Sequence, residues 1–271
     1  MLSFLFNRKF FSKKKSTQDL HSVDYFGYKV RYSEGTSLIK RLQSTGEYEP
    51  RVIRSAVDAL KGISEPIVFD IGANIGLFSF AVLNHYPQSK IFAFEPGPHQ
   101  FSLLKESVFQ NQVQKNIRLS EIALSYENGF ASFRVHSSED SSGDGFMDTH
   151  RAGKTKKIKV VTQTLDNWAQ DNPLTAEVHL VKMDTEGSEL WVLDGGAEFF
   201  KKFKPAIIME IYPMNITSYP FEVSDLLKRI SEMGYKVHTL EKELILDSEI
   251  NRFFATEDTF LLIHESKLVL Q

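Results

Sequence analysis

From residue 48 onward, short apolar runs alternate with amphipathic segments, the pattern of βαβ units built around a parallel sheet. The runs cover 66–71, 90–94, 117–124, 178–183 and 206–211. Their near-continuous hydrophobicity predicts strands covered by helices on both faces. Between them, helices are predicted over 76–84, 98–111, 188–203 and 221–233. Pro98 suits a helix start, and Gly234 suits the position just past a helix end. Segments 235–240 and 258–263 read as two more strands, a C-terminal antiparallel hairpin that closes the sheet. The expected fold class is therefore α/β, with a mostly parallel central sheet flanked by helices.

One stretch breaks the alternation. Short strands at 130–135 and 157–161 flank SSEDSSGDGFMDTHRAGKTK, and such a polar run inside a compact domain reads as a lid-like loop at 137–156. Ahead of residue 48 there is only a weak strand signal at 25–32, so 1–47 is expected to be an N-terminal arm and small accessory segment. Residues 48–271 then form the main domain. The first fifteen residues, MLSFLFNRKFFSKKK, combine aromatic residues with lysines, which suits either contact with a membrane surface or docking on the protein's own domain. The charges follow the apolar residues and no small-residue cleavage site appears, which argues against an export signal.

Composition narrows the chemistry. Of 271 residues, 42% are hydrophobic and 25% charged, with no cysteine, so disulfides, thiolate metal sites and cysteine nucleophiles are excluded. A net charge of -3 offers no footprint for a phosphate backbone, so nucleic acid is not an expected partner. Small-molecule or glycan partners fit better. No apolar run reaches the roughly 18–20 residues of a membrane span, and a cytoplasmic location is expected.

The first strand ends in IVFDIGANIGLFSF, placing Asp70, Gly72, Asn74 and Gly76 at a strand-to-helix turn. A dinucleotide fingerprint would carry glycine where Asn74 and Leu77 stand, and no phosphate-binding Gly-Lys-Ser/Thr occurs. Asp70 beside the turn suits a cationic ammonium better than a pyrophosphate. The next strand ends at Glu95, about 20 residues on, where a carboxylate accepts hydrogen bonds from both hydroxyls of a ribose. The pair points to a nucleoside joined to an amino acid. Glu121, near the end of the third strand before Ala123, is expected to face the adenine. As helix-start carboxylates favoured by the macrodipole, Asp70 and Glu95 also have a purely structural explanation.

The succession VFDIGANIGLFSF, FAFEPGP, IALSYENGFASF, VKMDTEGSELWVLDGG and AIIMEIYP resembles the FkbM-type class I methyltransferases, and the upstream GEYEP resembles the stretch those proteins carry before the first strand. The resemblance covers about residues 46–212. It implies a Rossmann-like class I methyltransferase sheet, S-adenosyl-L-methionine as cofactor, and methyl transfer most often to a hydroxyl of a sugar or other secondary metabolite. Donor contacts are then expected from Glu49, Asp70, Gly72, Asn74, Gly76, Glu95, Pro96, Glu121 and Ala123.

Methyl transfer to oxygen needs an aligned acceptor and a proton acceptor. HLVKMDTEGSE supplies candidates: Lys182 and Asp184 share a strand face, Asp184 or Glu186 is the expected base, and Lys182 its charge-balancing partner. Asp184, Thr185 and Glu186 equally resemble a helix N-terminus. Glu210 at the next strand end and His150 in the polar loop are candidate contacts to the acceptor, with His136 a further loop histidine. Oxygen ligands also permit a divalent metal, though no spacing demands one. The alternatives left open are a non-catalytic cofactor-binding or scaffolding module and a nicotinamide-dependent oxidoreductase.

Overall fold

The structure is a computed structural model, and it describes residues 21–34, 36–136, 143–149, 154–246 and 248–268. The candidate membrane-contacting segment 1–15 and His150 lie outside these residues. Among the described residues no helix is long and apolar enough to cross a membrane.

The chain begins with a hairpin of β1 (His21–Tyr25) and β2 (Tyr28–Tyr32). Both turn residues, Phe26 and Gly27, have positive φ, the twist that suits a two-residue hairpin loop. The Phe26 ring packs on Tyr25 and His85, at 4.7 and 5.8 Å between centroids. Next come α1 (Ser37–Thr45), capped by the Thr36 side chain, and α2 (Pro50–Ala59), which has Pro50 at its first position. Neither helix was expected.

The alternating core follows: β3 (Ile67–Ile71), α3 (Leu77–His85), β4 (Lys90–Phe94), α4 (Pro98–Gln110), β5 (Ile117–Ser120), β6 (Ala123–Leu124), β7 (Gly129–His136) and β8 (Thr155–Gln163). After these come α5 (Leu165–Asp171), β9 (Leu180–Met183), α6 (Glu189–Gly195), α7 (Ala197–Phe203), β10 (Ala206–Glu210), α8 (Pro213–Ile216), α9 (Val223–Glu232), β11 (Tyr235–His238), α10 (Ile250–Phe253), β12 (Thr259–His264) and α11 (Glu265–Leu268).

The main sheet has the order β11-β12-β10-β9-β3-β4-β5. The chain runs outward from β3 to β4 and β5, then crosses to β9 on the other side of β3, all parallel. The topological switch point thus lies between β3 and β9, where open α/β sheets bind their ligands. β12 is antiparallel to both of its neighbours. This seven-stranded arrangement is the class I methyltransferase fold, as expected.

Strand alternation divides the core in two. Val68, Leu180 and Ile208 pack with α1–α4 and the hairpin on one face, while Ile67, Phe69, Ile71, Val181 and Met183 pack with α5–α7 and α9 on the other. The first 25 described positions therefore share the core of the main sheet through Tyr25, Val30, Ile39 and Leu42.

Two expectations are corrected. The strand predicted over 117–124 breaks after Ser120, because Ala123 and Leu124 leave the main sheet to pair with β8 in a separate three-stranded sheet, β6-β8-β7. The helix predicted over 188–203 divides at Gly195 and Gly196. A Cβ on Gly195 would stand 2.0 Å from the Ser125 carbonyl oxygen, so only glycine allows the two segments to meet there. The C-terminal strands pair antiparallel as expected, and the hairpin joins the sheet through β12, which lies between β10 and the edge strand β11.

Phe69 is fully buried against Phe92, Phe94, Trp168 and Phe199 at centroid distances of 5.0–5.8 Å. Phe69→Ala is expected to destabilise the protein by about 3–5 kcal/mol in urea denaturation. A loss below about 1 kcal/mol would show that this aromatic cluster does not hold the sheet to its helices.

Candidate active site

The glycine turn forms the floor. After Ile71 the backbone takes positive φ at Gly72, Asn74 and Gly76 before α3 begins. Gly72 and Ala73 donate their N–H groups to the Phe94 carbonyl, at 3.0 and 2.9 Å, tying the turn to the end of β4. A Cβ on Gly72 would lie 1.8 Å from the Asp184 carbonyl oxygen. The residue is glycine so that the loop after β9 can lie directly against the turn. Gly76 answers a different need: a Cβ there would meet Leu104 at 2.5 Å, so it permits α3 to approach α4 and does not line the cleft.

Above this floor is a cleft of about 310 Å³. Expected residues on its wall are Glu49, Gly72, Asn74, Glu95, Pro96, Ala123, Lys182, Asp184, Glu186 and Glu210. Asp70 is not among them. It is wholly buried beneath the turn, where Ser79 of α3 donates to its Oδ2 at 2.6 Å and its Oδ1 has no hydrogen-bond partner. Burial pushes its pKa up, against the opposing pull of Lys182 and Ser79. Glu121 is exposed and lies off the cleft wall, because the break between β5 and β6 places it on the surface and leaves Ile122, Ala123 and Leu124 lining the cleft.

Glu95 reaches the cleft from the end of β4. It accepts the N–H of Gly97 on Oε1 at 2.7 Å and that of Asn74 on Oε2 at 2.8 Å. Burial raises its pKa to about 7, even though both hydrogen bonds favour the carboxylate.

Lys182 is buried on the same sheet face as Asp70, its register partner in β3. Its Nζ donates to Asp184 Oδ2 at 3.0 Å and to the Gly72 carbonyl at 3.4 Å. Burial alone disfavours the ammonium, but Asp184, Asp70 and Glu49 together outweigh it and raise the pKa. Lys182 therefore stays charged. Glu49 starts α2 from a left-handed φ of 47°. Burial and then Asp184 push its pKa up, while Lys182 and Tyr48 pull against them.

Glu186 is held on both oxygens. Gly143 N donates to Oε1 at 2.9 Å and Asn215 Nδ2 to Oε2 at 2.9 Å, so the carboxylate joins the polar loop to α8. The helix N-terminus is not at Asp184–Glu186: α6 starts at Glu189. Glu189 shapes that loop by accepting from Thr185 N at 2.8 Å, Thr185 Oγ1 at 2.9 Å and Gly187 N at 3.4 Å. Burial raises its pKa to about 7.

Several wall residues were missed by the sequence reading. Ser37, Leu38 and Arg41 come from α1, and Tyr48 comes from the turn before α2. Phe133 of β7, with Asp144 and Phe146 of the polar loop, closes another side. The described part of that loop is anchored: Arg134 and Gly145 exchange backbone hydrogen bonds at 2.7 and 3.1 Å, and His136 Nδ1 lies 2.8 Å from Asp144 Oδ1. Only the GEYEP motif had pointed to this neighbourhood. Among the described residues no group of three or more His, Cys, Asp or Glu side chains is arranged to hold a metal ion.

Comparison with known proteins bears on this site. Residues 70–237, more than half of the chain, match the family model described as the methyltransferase FkbM domain. Methyltransferase sdnD of Sordaria araneosa is 28% identical over 174 residues, covering 55% of this chain and 67% of that protein. The 2-O-methyltransferase NoeI of Sinorhizobium fredii (strain NBRC 101917 / NGR234) is 28% identical over 155 residues, 51% of this chain and 60% of its own length. The 31-O-demethyl-FK506 methyltransferase FkbM of Streptomyces tacrolimicus is 42% identical over 64 residues, 23% of this chain and 24% of that one. The chain thus spans about two-thirds or less of each of these relatives. Among solved structures, the methyltransferase FkbM from Methylobacillus flagellatus KT matches with a TM-score of 0.44 at 15% identity, covering 74% of this chain and 44% of that one. Resting on the family match over β3 to β11 and on the strand order, the chain belongs to the FkbM family of S-adenosyl-L-methionine-dependent methyltransferases.

Proposed function

We propose that the protein transfers the methyl group of S-adenosyl-L-methionine to a hydroxyl oxygen of a small polyhydroxylated acceptor, a sugar, glycan or comparable metabolite. The observation that carries this reading is the Lys182–Asp184 ion pair at the switch point, in contact with the glycine turn. The relatives named 2-O-methyltransferase and 31-O-demethyl-FK506 methyltransferase support oxygen as the methylated atom.

The residues fit the donor. Glu95 ends β4 as a carboxylate facing the cleft, suited to ribose hydroxyls. Ile122, Leu124, Phe133 and Phe146 supply apolar wall for an adenine. Glu49, on the cleft wall, supplies negative charge for the ammonium end. When bound, S-adenosyl-L-methionine provides a methyl carbon already activated by its sulfonium.

What remains for the chain is to align the acceptor and take one proton. Asp184 Oδ1 would take the hydroxyl proton as the acceptor oxygen is methylated. Lys182 fixes the opposite oxygen, Oδ2, and so orients the carboxylate. As a buried ammonium, Lys182 is not itself the base. Glu186, bound on both oxygens, serves the acceptor side as a fixed hydrogen-bond acceptor rather than as the base.

Two measurements test the donor and catalytic assignments. Glu95 has a pKa of about 7 in the fold against an ordinary 4.5, so between those values the folded chain holds a proton that the unfolded chain lacks. Its stabilising contribution is present below about pH 4.5 and is lost as pH rises through 7. Donor hydroxyls need the ionised carboxylate, so affinity for S-adenosyl-homocysteine is expected to rise between about pH 6 and 8, opposite to that stability trend. Glu95→Gln should remove both dependences. Equal affinity at the two pH values in the unaltered protein would refute the assignment. For catalysis, Asp184→Asn is expected to lower kcat by about 10²–10⁴-fold while S-adenosyl-homocysteine affinity stays within about twofold. Unchanged turnover would remove Asp184 as the base.

A further inference from the structure

Arg51 stands in the first turn of α2, two residues after Glu49 of the cleft wall. Its guanidinium grips two carboxylates at once. Nε and Nη2 donate to Glu241 Oε1 and Oε2 at 2.9 and 3.0 Å, and Nη1 donates to Glu257 Oε2 at 2.7 Å. The paired bonds to Glu241 fix the plane of the fork as well as its distance. Exposed ion pairs ordinarily contribute little, but a bidentate arginine within a network of charges is the exception.

Both carboxylates are themselves held. Glu241 sits in a tight turn after β11, where Lys242 takes a left-handed φ of 70° and Glu243 N donates back to Thr239 Oγ1 at 3.1 Å. Glu257 follows α10, its N–H bound to the Phe253 carbonyl at 2.7 Å, and it directly precedes Asp258, which lines the cleft. The Asp258 carbonyl accepts the N–H of Ile211, just past β10, at 2.7 Å. One side chain thus connects two parts of the cleft rim: the start of α2 with Glu49, and the β10–β12 end of the sheet with Asp258. The rest of α2 is anchored differently, by Val52, Ile53 and Ala56 in the core and by the Tyr86 hydroxyl on the Val57 carbonyl at 2.8 Å.

We infer that Arg51 is a positioning residue: by clamping Glu241 and Glu257 it holds the first turn of α2, and with it Glu49, in place on the cleft wall, and so sets the affinity for the ammonium end of the donor. This rests on the methyl-transfer reading above and adds to it a control exerted from outside the cleft. Glu49 needs such support. Its backbone lies at φ 47°, which a residue with a side chain adopts at a cost, and its buried carboxylate is repelled by Asp184. Without the clamp, the first turn of α2 can relax and carry the carboxylate away from that like charge. The fork is the required chemistry, since a lysine offers a point charge and cannot hold both Glu241 oxygens in one plane.

The test is calorimetric titration of full-length protein with S-adenosyl-homocysteine at about 50 mM and about 500 mM NaCl. Arg51→Met keeps the stem, removes the fork and touches no core position; it is expected to weaken binding at least about tenfold at the lower salt. Glu241→Gln should give a smaller loss and add nothing when combined with Arg51→Met, because both act through one contact. Salt screens the exposed clamp, so affinity should fall more steeply with NaCl in the unaltered protein than in Arg51→Met, a difference that a purely structural role would not produce. Affinity of Arg51→Met within about twofold of the unaltered protein, or equal salt dependence of the two, overturns the proposal. Failure of S-adenosyl-homocysteine to bind the unaltered protein would instead overturn the methyltransferase reading beneath it.

Discussion

A charged lysine buried at the centre of the sheet is the constraint around which the site is arranged. An isolated ammonium in a protein interior is costly enough that it would ordinarily give up its proton. Lys182 keeps its charge because Asp184, Asp70 and Glu49 surround it from three separate elements: the loop after β9, the adjacent strand β3 and the start of α2. Removing any of these carboxylates would shift the balance for the others. The group therefore holds together the two strands at the switch point and the segment that covers them.

The glycine turn belongs to the same arrangement. Lys182 reaches the Gly72 carbonyl, and the Asp184 backbone lies so close to Gly72 that no side chain fits there. A single contact between two loops thus sets the floor of the cleft and also the position of the proposed base. Asp70 supports this from below, in contact with Ser79 of the helix that the turn introduces. It lies beneath the turn and beside the lysine, off the cleft wall.

How much of this could be read in the sequence depended on whether the signal was local. The parallel strands were visible because burial on both faces leaves an unbroken apolar run, and the turn was visible because Gly72 and Gly76 answer steric demands in a fixed place. Lys182 stood out as a charge at the end of such a run. The break after Ser120 was not visible, since Ala123 and Leu124 are as apolar as the residues before them and change sheets only because β8 is there to pair with. Gly195 and Gly196 did carry a local signal for the division of the predicted long helix, but its cause, the Ser125 carbonyl, is far away in the chain. The contributions of Ser37, Arg41 and Asp144 to the cleft rest on tertiary placement, and no spacing in the sequence announced them.

The insertion of β12 between β10 and β11 also bears on the order of assembly. β11 precedes β12 in the chain, yet it has no partner in the sheet until β12 has docked on β10. During synthesis the edge strand must wait for residues made after it. Meanwhile β10, whose Glu210 forms part of the cleft, presents an unpaired strand edge to its surroundings. Closure of that edge is a non-local step with the slow loop search that such steps entail. The part of the cleft lined by Glu210 would then be the last region to become ordered, and the floor built on β3, β4 and β9 the earlier one.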